Sequence, residues 1–167
     1  DMAAKYAGQG GTKYGLAVQA NQYEGLVCNT NEWTSNFTNV KEGLENFKEA
    51  VKADYTSDKQ LSMIESDGVD LMTSGQCVMY RGWSSTYSNF TDETEVGPEQ
   101  ITPACLPNSG GSTLGGWEMG ININSEKKEA AWEFVKYATS GEGNMVFCKT
   151  GNNIPGYTPN AESEELA

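Results

Sequence analysis

Gln76-Cys77-Val78-Met79-Tyr80, followed at once by Arg81-Gly82-Trp83-Ser84-Ser85, is the stretch whose reading decides the fold. Upstream of it, Thr56 to Ser74 (TSDKQLSMIESDGVDLMTS) has the composition of one or two short helical pieces, and Gly75 stands where a left-handed cap would end the last of them. QCVMY then reads as a strand. A helix that hands over to a strand, with polar and aromatic residues just past the carboxyl end of that strand, is the local pattern of an open α/β sheet, whose ligands enter at that edge. Arg81, Trp83 and Ser85 are binding candidates by this position.

The same alternation extends in both directions. Lys13 to Gln19 (KYGLAVQ) is a short apolar run, bounded by the Gly8 to Gly11 cluster and by Ala20-Asn21, and it predicts a buried strand. Gln22 to Trp33 predicts a helix. In NVKEGLENFKEAVKA, which starts at Asn39, Val40, Leu44, Phe47 and Val51 fall on one helical stripe, with Lys41 and Glu45 as a same-face pair. Past a proline-bearing loop (Pro98, Pro103, Pro107), Glu118 to Ile123 (EMGINI) alternates as a strand does. Ser125 is placed to cap the helix of EKKEAAWEFVKYAT, and Ser140 a last one running through Cys148 to Gly151. Helices and strands interleave, so the expected fold class is α/β.

The 167 residues carry 11 Lys+Arg against 23 Asp+Glu, a net charge of −12, and no His. Nucleic-acid affinity comes chiefly from basic side chains that displace counterions from phosphate, so nucleic acid is excluded as a partner. Without histidine there is no Ser-His-Asp or Cys-His chemistry and no His-ligated metal, and no metal site or cofactor is expected. No segment is long and apolar enough to cross a membrane. Cys28, Cys77, Cys105 and Cys148 fit neither a redox pair nor a zinc ribbon; two disulfides or free thiols both remain open. Asp1 to Gly8 reads as the tail of a longer helix and Ala161 to Ala167 as helix-forming chain without a cap, so both ends read as cut.

Gly115-Gly116-Trp117, with Gly110-Gly111 upstream, sets an indole beside bare backbone amides. It has neither the lysine nor the spacing of a phosphate cradle. It suits a sugar, whose C–H face covers the ring while its hydroxyls bond to N–H and C=O groups. Trp83, also beside a glycine and also flanking an expected strand, suggests a shared aromatic-lined site. Trp132 reads as structural. The acidic pairs Glu45 with Glu49, and Glu162 with Glu164 and Glu165, read as solvated helix faces rather than an acid–base dyad. The sequons at Asn36 and Asn89 arise readily by chance.

Tyr23-Glu24-Gly25-Leu26, Arg81-Gly82-Trp83, Thr113-Leu114-Gly115-Gly116-Trp117 and Glu129 to Tyr137 (EAAWEFVKY) stand in an order and at a spacing that resemble the family 1 extracellular solute-binding proteins. These are sugar receptors of ABC importers, similar to the trehalose/maltose-binding type. The resemblance implies a type II periplasmic-binding-protein-like fold, with residues 1–167 as a single three-layer lobe, a sheet flanked by helices. That lobe would be the C-terminal one of a longer, two-lobed receptor whose N-terminal lobe and lipid anchor lie outside this stretch. Trp117 would stack on a sugar ring beside Gly116, Trp83 would form a second aromatic wall, and Glu24 would contact a hydroxyl. It also implies a monomer at the cell surface or in the periplasm, with a sugar and a membrane permease as partners and no enzymatic chemistry.

The sequence departs from that family where Gly82-Trp83-Ser84-Ser85 stands in place of Asn-Trp-Pro-Tyr, leaving Ser85 only a hydroxyl to offer. It departs again in the short link between Trp33 and Val40, and at Ile154-Pro155-Gly156-Tyr157, where no arginine is present. Two rival readings are a fragment of a carboxylate-based glycoside hydrolase and a surface interaction module.

Overall fold

A computed structural model describes residues 2–107 and 111–166. Asp1, Asn108, Ser109, Gly110 and Ala167, which belong to the terminal and glycine-loop readings above, lie outside the described residues. The chain divides into two compact units, Asp1–Leu114 and Gly115–Ala167.

In the first unit the helices are α1 (Met2–Tyr6), α2 (Glu24–Trp33), α3 (Val40–Lys52) and α4 (Glu65–Thr73), with 3-10 turns at Gln60–Ser62, Ser84–Asn89 and Pro98–Gln100. The α4 end is the one the glycine announced. Gly75 has φ +67°, its N–H donates to the Met72 carbonyl at 3.0 Å, and the Gln76 N–H donates to Leu71 at 2.9 Å. Those paired bonds close the helix in a Schellman motif. The link from α2 to α3 is made without glycine: Ser35, Asn36 and Phe37 all have positive φ (50°, 57° and 59°), and buried Thr34 receives the Phe37 and Asn39 N–H groups.

The expected α/β class, with a sheet flanked by helices, is not what forms. Among the described residues the only β pairing consists of two isolated parallel bridges, Tyr14↔Cys77 and Ala17↔Tyr80. Regular parallel pairing needs a bridge at every second residue. Here the Tyr14 N–H bonds to Gln76 and the Val78 N–H to Tyr14, but the next contacts are Ala17 to Met79 and Arg81 to Ala17. In between, Gly15 and Leu16 turn their N–H groups to the Tyr55 carbonyl. A Cβ on Gly15 would fall on the Ala3 carbonyl, so the backbone of α1 sits directly against this interruption. Glu118 to Ile123 carries the alternation of a strand and has no bridge; all its residues except Ile121 are exposed.

Burial at Lys13 to Gln19 is nevertheless real. Ala17 joins Met63 and Cys77 in one apolar cluster, against Tyr14, Leu71, Met72 and Tyr80. Val18 and Ala20 join Phe47 in another, against Leu16, Leu26, Trp33 and Val51. The extended segment thus has α4 on one side and the α2–α3 pair on the other. The α3 stripe is only half used: Phe47 is buried and stacks on Trp33 at 5.4 Å between centroids, while Val40 and Leu44 are exposed. The face that packs is Gly43, Phe47 and Ala50, because a Cβ at Gly43 would meet the Trp33 carbonyl and the helices touch there backbone to backbone.

The second unit holds α5 (Lys128–Thr139), α6 (Gly141–Gly151), α7 (Thr158–Ala161) and a 3-10 turn at Glu164–Leu166. Ser125 does not cap α5; its Oγ accepts the Lys127 N–H one turn early, and α5 starts at Lys128. Ser140 precedes α6 as expected, although its hydroxyl donates back to the Lys136 carbonyl. Left-handed Asn152 ends α6, and Asn160 ties α7 to it through the Gly141 carbonyl (2.7 Å) and Asn144 Oδ1 (3.1 Å). All four cysteines are free, Cys28, Cys77 and Cys148 buried and Cys105 exposed. Among the described residues no helix is long and apolar enough to cross a membrane.

The unequal use of α3 gives a direct test by urea denaturation. Phe47→Ala should cost about 3–5 kcal/mol, the usual range for emptying a packed aromatic site. Leu44→Ala, one turn away on the same stripe, should stay within about 1 kcal/mol as an exposed position. Equal losses would contradict the observed packing.

Candidate functional site

The centre of the first unit is polar. Gln19 is fully buried; its Nε2 donates to the Tyr80 hydroxyl at 2.7 Å and to the Arg81 carbonyl at 3.0 Å. Asn29 of α2, also fully buried, donates to the Gln19 carbonyl (3.0 Å), Gln19 Oε1 (3.2 Å) and the Gly25 carbonyl (2.8 Å). Burial pushes the Tyr80 hydroxyl up to about 12, so it stays neutral and donates in turn to the Glu65 carbonyl at 3.2 Å.

Arg81 and Glu32 complete this network as a two-pronged ion pair, Nε to Oε2 at 2.8 Å and Nη2 to Oε1 at 2.6 Å. Both side chains are almost wholly removed from solvent, 7% and 5% exposed. Glu32 Oε1 also accepts the Thr113 N–H at 2.9 Å, while the Thr113 hydroxyl bonds to the Cys28 carbonyl and receives Asn31 Nδ2. Burial alone would raise the Glu32 carboxyl; Arg81 and the Thr113 amide outweigh it, and the group lies below its ordinary range. A carboxyl held ionised in this way is the opposite of a general acid, which needs a raised value.

Trp83, half-buried, lies against this pair, its ring centroid 4.6 Å from the Arg81 guanidinium carbon and its Nε1–H directed at Glu65 Oε1 at 3.4 Å. The Tyr23 hydroxyl belongs to the same neighbourhood: burial and nearby Glu65 drive it strongly upward, and it is a buried polar atom with no hydrogen-bond partner. Its ring fits only because residue 25 is glycine, since a Cβ there would fall on the Tyr23 hydroxyl.

Of the six candidates, Arg81, Trp83, Ser85 and Glu24 belong to the first unit. Arg81 and Trp83 are brought together. Ser85 is half-buried in the 3-10 turn that begins at Ser84, and Glu24 is exposed as the first residue of α2. Gly116 and Trp117 belong to the second unit, where both are exposed, Trp117 by 86%, and a Cβ on Gly116 would meet nothing within 4 Å. Two open depressions of that unit run along Ser125 to Ala130 and beside Trp132, and neither is lined by Gly116 or Trp117. Sequence reasoning missed Glu32, Glu65 and Tyr23. Only Tyr23 carried a signal, its place in the Tyr23-Glu24-Gly25 motif. Among the described residues no group of three or more Cys, Asp or Glu is arranged to hold a metal ion.

A family model described as bacterial extracellular solute-binding protein matches residues 1–167. A probable ABC transporter-binding protein of Deinococcus radiodurans is 26% identical over 148 residues, covering 77% of this chain and 35% of that protein. Among solved structures, maltose-bound MalE3 of T. maritima superposes with a TM-score of 0.81 at 23% identity, over 92% of this chain and 45% of the other. The chain therefore spans less than half the length of either relative, and its likeness to the solved one is a likeness of fold.

The ion pair makes a pH-dependent prediction. A carboxyl whose folded value is depressed contributes stability above its unfolded value, about 4.3 for glutamate, and loses it as pH falls through the folded value. Glu32→Gln, which strands a buried guanidinium, should cost about 3–5 kcal/mol at pH 7. The gap from wild type, measured by urea melts from pH 7 down to pH 3, should narrow on the acid side. A gap that stays constant across that range would show that Glu32 is not held ionised by Arg81.

Proposed function

Since the chain belongs to the bacterial extracellular solute-binding protein family, we propose that it is the carbohydrate-binding lobe of a receptor that delivers sugar to an ABC transporter permease. The observation that carries this reading is the Trp83 neighbourhood. A half-buried indole braced by Arg81 offers an apolar plate, Glu65 a carboxylate acceptor and Tyr23 a buried hydroxyl lacking a partner. Apolar ring faces and hydroxyls alternate on a sugar, and such a set of groups answers both. In this reading Trp83 stacks on a ring, Glu24 and Ser85 bond to hydroxyls at the rim, and Arg81 holds the plate. Gly116 and Trp117, in the second unit, offer a sugar a backbone contact and an exposed aromatic of their own.

No bond in the ligand is made or broken. The signal to the permease is domain closure, and the ligand favours the closed form only to the extent that it binds that form better. Residues 1–167 act as one lobe of a two-lobed receptor and carry one side of the site, which fits a chain that covers 45% of the solved relative. The receptor is monomeric, works outside the cytoplasmic membrane and is held there by a lipid anchor.

One side of a site binds weakly. Tryptophan emission of the 167-residue chain, titrated with maltose, trehalose and sucrose, should saturate with at least one of them at a Kd on the order of 1 mM, about 4 kcal/mol. Trp83→Ala should abolish the response. Micromolar saturation would contradict the one-sided site, and no response to any sugar at tens of mM, roughly 2–3 kcal/mol or weaker, would contradict the sugar-receptor reading.

A further inference from the structure

The Glu32 side chain is only 5% exposed, yet its two carboxylate oxygens hold two separate pieces of chain. Oε2 and Oε1 receive the Arg81 Nε–H and Nη2–H at 2.8 and 2.6 Å, and Oε1 also receives the Thr113 backbone N–H at 2.9 Å. Arg81 carries the constraint onward, its guanidinium lying 4.6 Å from the centroid of the Trp83 ring. Thr113 carries it to the last residues of the first unit, which ends at Leu114. We propose that Glu32 is a positioning residue: one buried carboxylate sets both the ring of Trp83 and the place at which the chain leaves the first unit.

The geometry favours positioning over simple cohesion. Apolar residues of similar size hold a core together about as well as a buried ion pair does, so cohesion alone gives little reason for two charges. A fork-to-fork pair does something apolar packing does not: two parallel N–H···O bonds fix the plane of the guanidinium. The Trp83 ring, with the guanidinium carbon 4.6 Å from its centroid, is placed by that fixed group. The third bond uses the remaining acceptor capacity of the same carboxylate, so the ring and the Thr113 segment respond together when Glu32 changes. Arg81 Nη1, 3.5 Å from Gln19 Oε1, has only a marginal second anchor.

The proposal rests on the sugar-receptor reading for what the clamp serves, and its test is built so that the two fail separately. The full chain is labelled with 5-fluorotryptophan, and the Trp83 resonance is identified by its loss in Trp83→Phe. Glu32→Gln keeps an acceptor for Thr113 but strands Arg81. The paired change Glu32→Leu with Arg81→Met removes both charges while keeping volume, so the fold survives if the single variant does not. In the paired variant the Trp83 fluorine signal should shift or broaden, and the Thr113 amide should exchange with solvent at least tenfold faster than in wild type. Neither readout requires a ligand.

Maltose should then bind at least fivefold more weakly to the same variant. A folded paired variant with the wild-type Trp83 signal and wild-type Thr113 exchange would overturn the proposal. If wild type binds none of maltose, trehalose and sucrose, the receptor reading fails while the fluorine and exchange measurements still decide the clamp.

Discussion

A charge pair shut away from water is costly unless each partner is fully answered, and that constraint organises the first unit around Glu32 and Arg81. Four polar residues nearby answer it or hold what does. Gln19 and Asn29 tie α2 to the extended segment, Tyr80 ties that segment to α4, and Thr113 uses the remaining capacity of the carboxylate. The apolar clusters on either side supply burial without direction; the polar network supplies register, since each of its bonds has one geometry that satisfies it.

That division explains why the unit keeps its shape without a sheet. A parallel ladder would let the two central segments satisfy each other at every second residue, but Gly15 and Leu16 are claimed by Tyr55, and pairing is reduced to single bridges. Side-chain amides then take over from the missing ladder. Gln19 Nε2 reaches the Arg81 carbonyl, and Gln60 Nε2 reaches the Val18 carbonyl at 2.7 Å, each joining segments remote in sequence.

What was legible in the sequence is what local chemistry decides. The span of α3 follows from apolar spacing, the helix within Thr56 to Ser74 from composition, and the end of α4 from one glycine whose left-handed φ most residues adopt only at a cost. The expected sheet was a different kind of inference. Alternation at Glu118 to Ile123 and apolar runs at Lys13 to Gln19 and Gln76 to Tyr80 mark extended chain, whereas pairing depends on a neighbour that alternation does not specify. The site divides in the same way. Trp83 and Arg81 could be found from their position after QCVMY. Glu32 could not, because its partners lie 49 and 81 residues away and its own surroundings read as an ordinary polar helix face.

The central claim is that a sugar is held on Trp83, braced from behind by a buried ion pair. It is tested most directly by nitrogen-15 correlation spectra of the four indole N–H groups during a maltose titration. Trp83 should move while Trp33, locked on Phe47, and Trp132 stay in place. Movement of Trp132 or Trp33 with Trp83 fixed would place the ligand elsewhere and contradict the account.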